Sequence, residues 1–126
     1  MNYCLITPYI QEIFLDIQML CKMCNTETPR HFELSRLEAH GYNRDVLLFY
    51  YGRIDIYQDF VHLKIKVDTA LMEKFNFNKE SKLLLSYDCY PPSTNIGSIM
   101  EFNIKYDENY MSTIEIIREI LNNYLN

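Results

Sequence analysis

This chain of 126 residues has no tryptophan, only two alanines and only three each of glycine and histidine. Each shortage narrows what the molecule can do. With glycine confined to Gly41, Gly52 and Gly97, no glycine-rich loop can bring backbone amides up to a phosphate, and no G-x-S-x-G turn can present a nucleophilic serine. The apolar runs reach about six residues, against the roughly 20 that a membrane helix needs. No Lys or Arg precedes Lys22, so the basic start of a secretory signal is missing. The expectation is an intracellular protein, in the cytoplasm or, for a pathogen's product, in a host cell's cytoplasm or nucleus. Its four cysteines are then reduced thiols and not a disulfide framework. Positive charge is also short: 12 Lys and Arg against 17 Asp and Glu give a formal net charge of −5, which argues against a general nucleic-acid binder.

What is present is an ordinary globular composition, 48% hydrophobic and 23% charged, long enough for one core. The reading is a single domain over residues 1–126. The 14 Ile, 11 Asn and 11 Tyr are residues with AT-rich codons. That bias fits an AT-rich genome such as that of a DNA virus, an intracellular bacterium or an acquired virulence locus.

The run from Asp45 to Val67, DVLLFYYGRIDIYQDFVHLKIKV, organises the rest. From Phe60 to Val67 the chain alternates strictly, with Val61, Leu63, Ile65 and Val67 on one face and His62, Lys64 and Lys66 on the other, as a half-buried strand does. Val46 to Tyr57 reads as one preceding strand, apolar on both faces as far as Tyr51 and alternating after Gly52, with Gln58 and Asp59 as a short hairpin loop. Upstream, Thr7-Pro8 is a helix start. Ile10, Ile13, Phe14, Ile17, Leu20, Cys21 and Cys24 form the apolar stripe of a helix that ends before Asn25. Phe32–Glu38 is a weaker strand, and Ala39–Arg44 a turn. Downstream, Asp68 or Thr69 caps a short helix through Leu71, Met72 and Phe75. Lys82–Tyr87 is a strand with Leu83, Leu85 and Tyr87 on one side, and Tyr90-Pro91-Pro92-Ser93 is a break. Ile99–Tyr106 alternates again, and Ser112-x-x-Glu115 opens a last helix with Ile114, Ile117, Leu121 and Tyr124 on its stripe. Successive strands without long helical crossovers predict an α+β fold: an antiparallel sheet of four to six strands, a short inserted helix, and the first and last helices packed on one face.

For chemistry the sharpest pattern is Cys21-x-x-Cys24 with His31 beyond it, a ligand set that can hold zinc if Cys4 or His40 completes it. The position of both cysteines beside the first helix's apolar stripe favours burial as small hydrophobes instead, so no metal and no cofactor is expected. The pair also sits at the C-terminal end of its helix, where the dipole disfavours a thiolate, which argues against a redox role. Cys89 and His62 have no spacing that makes them a nucleophile and base. His62, Lys64, Lys66 and Arg53 make a small basic patch, read as a solvated face. The aromatic surplus weighs more. Its many tyrosines cannot all have satisfied hydroxyls in one small core, and tyrosine is frequent at binding hot spots. Tyr50, Tyr51, Tyr57 and Phe60 around the hairpin, with Tyr110 and Tyr124 on the last helix, are the expected partner-binding residues.

The stretch Leu83–Phe102, LLLSYDCYPPSTNIGSIMEF, resembles the strand-then-YP segment of ubiquitin-conjugating and RWD domains, which begin and end with helices around an antiparallel meander. No HPN follows and no cysteine comes after Cys89, so the resemblance implies a non-catalytic binding domain. In size, acidity and helix–sheet–helix–sheet–helix layout the chain also resembles dimeric type III secretion chaperones. The sequence therefore points to a non-enzymatic interaction or adaptor module, viral or virulence-associated, that binds another protein (its own copy or a host chain) and not a membrane. Its alternatives are a chaperone-like homodimer, an RWD-like binding domain and a small zinc-stabilised module.

Overall fold

The computed structural model describes residues 5–25, 34–39, 44–49, 52–93 and 97–125. Within them the chain runs α1 (Thr7–Met23), β1 (Leu34–Ala39), β2 (Arg44–Phe49), β3 (Gly52–Tyr57), β4 (Phe60–Val67), α2 (Thr69–Lys74), β5 (Leu84–Ser93), β6 (Gly97–Lys105) and α3 (Met111–Asn122), closing on a 3₁₀ turn at Asn123–Leu125. The six strands form one sheet in the order β1-β2-β3-β4-β6-β5, every neighbouring pair antiparallel. The α+β architecture expected from the sequence is present.

Register explains the core. Leu47 pairs with Ile54, Ile54 with Leu63, Leu63 with Phe102 and Phe102 with Tyr87, so one row of side chains crosses five strands on a single face. Onto that face pack Ile10, Ile13, Phe14 and Ile17 of α1 and Ile116, Ile117, Ile120 and Leu121 of α3, all buried in one apolar cluster. Phe14 meets Phe49 at 5.4 Å between ring centroids. At the far end Phe75 and Phe77, on the crossover from α2 to β5, pack against Phe102 at 6.4 and 5.2 Å. The three helices thus share one face; the other, the open face, carries the partly exposed Arg53 and His62 and the exposed Lys64, although Val46 and Asp55 on it are buried.

Four local expectations are corrected. The stretch Val46–Tyr57 is two antiparallel strands, not one, with Phe49 of β2 paired to Gly52 of β3. Only glycine fits at 52, because a Cβ there would stand 2.0 Å from the Lys64 carbonyl oxygen. The two prolines do not break β5, which runs through Pro91 and Pro92. They are tolerated because β5 is an edge strand and its register shifts between Tyr90 and Ser93, which interrupts the ladder where the prolines supply no donor. A bulge between Leu84 and Ser86 takes Leu85 out of the alternation and leaves it exposed. On α1, Leu20 and Cys24 are exposed, so the buried stripe narrows to Ile10, Ile13, Phe14, Ile17 and Cys21.

Both expected serine/threonine caps are replaced by longer-range bonds. Thr7 does not cap α1, whose N-cap is Ile6 with no side-chain bond. Its hydroxyl instead donates to the buried Asp45 carboxylate at 2.6 Å, tying α1 to β2. A hydrogen bond to a charged group contributes about 1.5–3 kcal/mol, so Thr7→Val should destabilise the fold by roughly 2 kcal/mol in urea denaturation, while a neutral result would remove this tie. At α3 the N-cap is Tyr110 in the left-handed region (φ 64), and Asp107 does the capping. Its carboxylate accepts from the Ser112 and Thr113 amides at 3.1 and 3.4 Å. Partial burial pushes the Asp107 carboxyl up, but those amide bonds outweigh it and hold it below its ordinary value. A lowered folded-state value means the stabilisation is present above the unfolded value of about 3.9 and is lost as pH falls through the folded one. Asp107→Ala should cost about 1 kcal/mol at neutral pH. The gap from wild type should close in acid, as read from thermal melts between neutral pH and pH ~3. The sequence reading of Asp68 holds: its carboxylate accepts from the Leu71 amide at 2.7 Å at the start of α2.

Candidate functional site

Helix α1 carries apolar side chains on both sides. Outside its buried stripe, Leu15, Met19 and Met23 on the far side and Leu20 on the flank are between 54% and 76% exposed. Leu15, Met19 and Met23 follow one another at four-residue spacing, so they lie above one another on the outer surface. Leu5 and Tyr9 carry the exposed apolar surface to the helix start, where Met111 of α3 is exposed as well and Tyr9 meets Tyr110 at 6.4 Å. A 17-residue helix is about 25 Å long, and exposed apolar residues recur along nearly its full length, with the exposed Glu12 standing among them. Asp16 interrupts them, bonded to Arg118 of α3 at 3.0 Å. A surface helix ordinarily turns a polar side to water, whereas one apolar all round is a buried helix. No described residue covers this side. Sequence reasoning named only the inward stripe; the signal it missed is the second run at four-residue spacing, Leu15-x3-Met19-x3-Met23.

The hairpin residues Tyr57 and Phe60 are half-buried and stack on each other with centroids 4.8 Å apart. The Tyr57 hydroxyl accepts from Arg44 Nη1 at 2.9 Å. The Tyr106 hydroxyl reaches the carbonyl oxygens of both Tyr57 and Phe60, the latter at 2.8 Å, and so clamps a two-residue loop that has no glycine. Tyr110 is half-buried against Tyr106 at 5.5 Å. Tyr124, also half-buried, donates its hydroxyl to the Lys66 carbonyl. Of these four expected partner-binding residues, Tyr57, Phe60 and Tyr110 gather around Tyr106, whereas Tyr124 stands apart, past the end of α3. Tyr50 and Tyr51 lie outside the described residues.

The open face of the sheet carries a ladder of polar pairs. Arg53 stands opposite Lys64, but each has its own carboxylate, Asp55 at 2.7 Å and Glu101 at 3.7 Å. Asn103 donates to Ser86 Oγ at 2.7 Å, which leaves its oxygen to accept from His62 Nδ1 at 2.8 Å. Two of the four residues of the basic patch read from the sequence, Arg53 and Lys64, are therefore answered by acids. Beside it Leu48, Arg53, Lys64, Lys66 and Ile99 line a cleft of about 280 Å³.

Of the thiols, Cys21 is buried in the core cluster and Cys24 is exposed at the end of α1. His31, like Cys4 and His40, lies outside the described residues. Among the described residues no three His, Cys, Asp or Glu side chains come together to hold a metal. Cys89 pairs across from Met100 on the core side and contacts Met72 Sδ at 3.9 Å, whereas His62 is on the open face, so the two do not meet. No described helix is long and apolar enough to cross a membrane. Compared with protein families, curated proteins and solved structures, the chain matches none.

Proposed function

We propose that this chain is a non-enzymatic protein-interaction module that works by burying the outer side of α1 against another polypeptide, a second copy of itself in the first instance. One observation carries the reading: Leu15, Met19, Leu20 and Met23 are exposed on a helix whose other side is already core. Monomeric proteins seldom leave large contiguous apolar surfaces in water, and those that do mark a binding site. Methionine suits such a surface because its unbranched, polarisable side chain adapts to its partner. The hairpin pair Tyr57 and Phe60, with Tyr110 and Tyr124, would extend contact to a larger partner such as a host protein. The AT-rich coding bias is what favours a viral or virulence-associated adaptor.

The test is light scattering across a concentration series, on wild type and on Met19→Glu with Leu15→Glu. The reading expects self-association in the wild type, its loss in the double variant, and a melting temperature for the variant at or above that of the dissociated wild type. A wild type that stays monomeric at every concentration contradicts self-association through α1. A variant that still assembles places the contact elsewhere.

A further inference from the structure

The outer edge of β5 supports an inference beyond the α1 reading, on a different surface. β5 is a ten-residue edge strand that pairs on one side only, with β6. Among the described residues, Ser86–Tyr90 make no backbone hydrogen bond outside the sheet. Two features delimit what is open: the bulge between Leu84 and Ser86 at one end, and Pro91-Pro92, which have no N–H, at the other. Between them Ser86, Tyr87, Asp88, Cys89 and Tyr90 are all exposed. A row of free backbone donors and acceptors of this kind is a template for another strand.

The charge on this window selects the strand. Asp88 lies on the open face directly across from Glu101, and the Tyr90 hydroxyl donates to that same Glu101 at 3.3 Å. Glu101, with Asp88 behind it, pushes the Tyr90 hydroxyl above its ordinary value, which marks the local field as negative. Lys64 answers Glu101 only at 3.7 Å, and no described cation pairs with Asp88. A second copy fits poorly. Two-fold antiparallel pairing that keeps the faces of both sheets aligned and uses the whole window from Ser86 to Tyr90 must set Asp88 opposite its own copy, and like charges directly opposed destabilise a sheet. Registers that avoid this run into the bulge or the prolines.

We propose that the β5 edge is a strand-addition site for an extended segment of another protein, paired along Ser86–Tyr90 with a lysine or arginine opposite Asp88. Main-chain bonds supply the affinity in this mode and the alternating side chains supply the choice. Tyr87 lies on the core side of the sheet and Tyr90 on the open side, so each gives an aromatic contact to alternate residues of the incoming strand.

The probe is a display library of random ten-residue peptides, selected against the full-length chain and, in parallel, against Asp88→Lys. Selected peptides are then synthesised and their contact mapped by amide hydrogen exchange. The expected outcome is slowed exchange at Ser86–Tyr90 and a basic residue recurring at one position of the selected peptides. Changing that residue to Glu should weaken binding about five-fold, and the same Glu peptide should regain about five-fold on Asp88→Lys, the scale of a cross-strand charge pair. Selections that protect other segments, or that show no basic preference reversed by Asp88→Lys, overturn the proposal. So does protection of Ser86–Tyr90 in the peptide-free protein at high concentration, which would make a second copy the occupant. Because Met19→Glu with Leu15→Glu leaves β5 untouched, peptide binding by that variant is expected to equal wild type, and failure here is separable from failure of the α1 reading.

Discussion

Phe102→Ala is expected to cost about 3–5 kcal/mol, the usual range for truncating a buried aromatic. Phe102 is fully buried at the centre of β6. It stacks on Phe75 and Tyr87 at 6.4 and 5.7 Å and meets Phe77 edge-on at 5.2 Å. The ring therefore holds three separate pieces of chain against the sheet: the end of α2, the crossover that follows it, and β5. Its loss leaves a cavity that these aromatics cannot close without leaving their own rotamers, so little of the cost is recovered by relaxation. Urea denaturation should give a lower midpoint with an unchanged slope. A loss under about 1.5 kcal/mol, the scale of a volume-conserving swap, would mean that the α2 crossover is not anchored there.

Gly52→Ala is expected to be as damaging as many core truncations although it adds a single methyl. The new Cβ would stand 2.0 Å from the Lys64 carbonyl oxygen and 3.0 Å from the Ile65 Cα. Both are backbone atoms of the paired strand, so no side-chain rotation relieves the clash. β3 and β4 must separate locally, at a cost of about 3 kcal/mol, the top of the usual overpacking range. Amide exchange should accelerate first around Gly52–Ile54 and Leu63–Ile65, which face each other in the register. A stable Gly52→Ala protein with unchanged exchange would contradict the close approach of β3 to β4.

The parts of the fold legible in the sequence are those set by side-chain period. β4 and β6 alternate without interruption, and the structure buries Val61, Leu63, Ile65 and Val67 against Met100, Phe102 and Ile104 as that alternation requires. The parts that were not legible turn on contacts distant in sequence. Thr7 looks like a cap, but Asp45, 38 residues away, takes its hydroxyl. Ser112 looks like the start of a capping box, but Asp107 occupies the free amides first. The two prolines read as a break because a local rule cannot tell an edge strand from an interior one. The division between β2 and β3 was hidden because apolar residues run straight through it.

The surfaces follow the same division. The tyrosine surplus was plain in the composition, yet what it does depends on placement. Tyr106 clamps the hairpin through two carbonyl oxygens, and Tyr124 bonds the Lys66 carbonyl. Neither role could be told from a binding role by counting. The outer stripe of α1 was within reach of the sequence, provided that both sides of the helix were read and not only the more apolar one. The β5 edge was not, since strand order decides which strand is left unpaired.

The measurement that bears most directly on the interaction reading is native mass spectrometry of the purified, reduced protein, because one spectrum gives copy number and bound metal together. The account predicts a metal-free dimer that the α1 double variant converts to monomer. A monomer carrying one zinc ion would contradict it, and would make Cys21, Cys24 and His31 the centre of a metal-stabilised module whose chelation unfolds the chain.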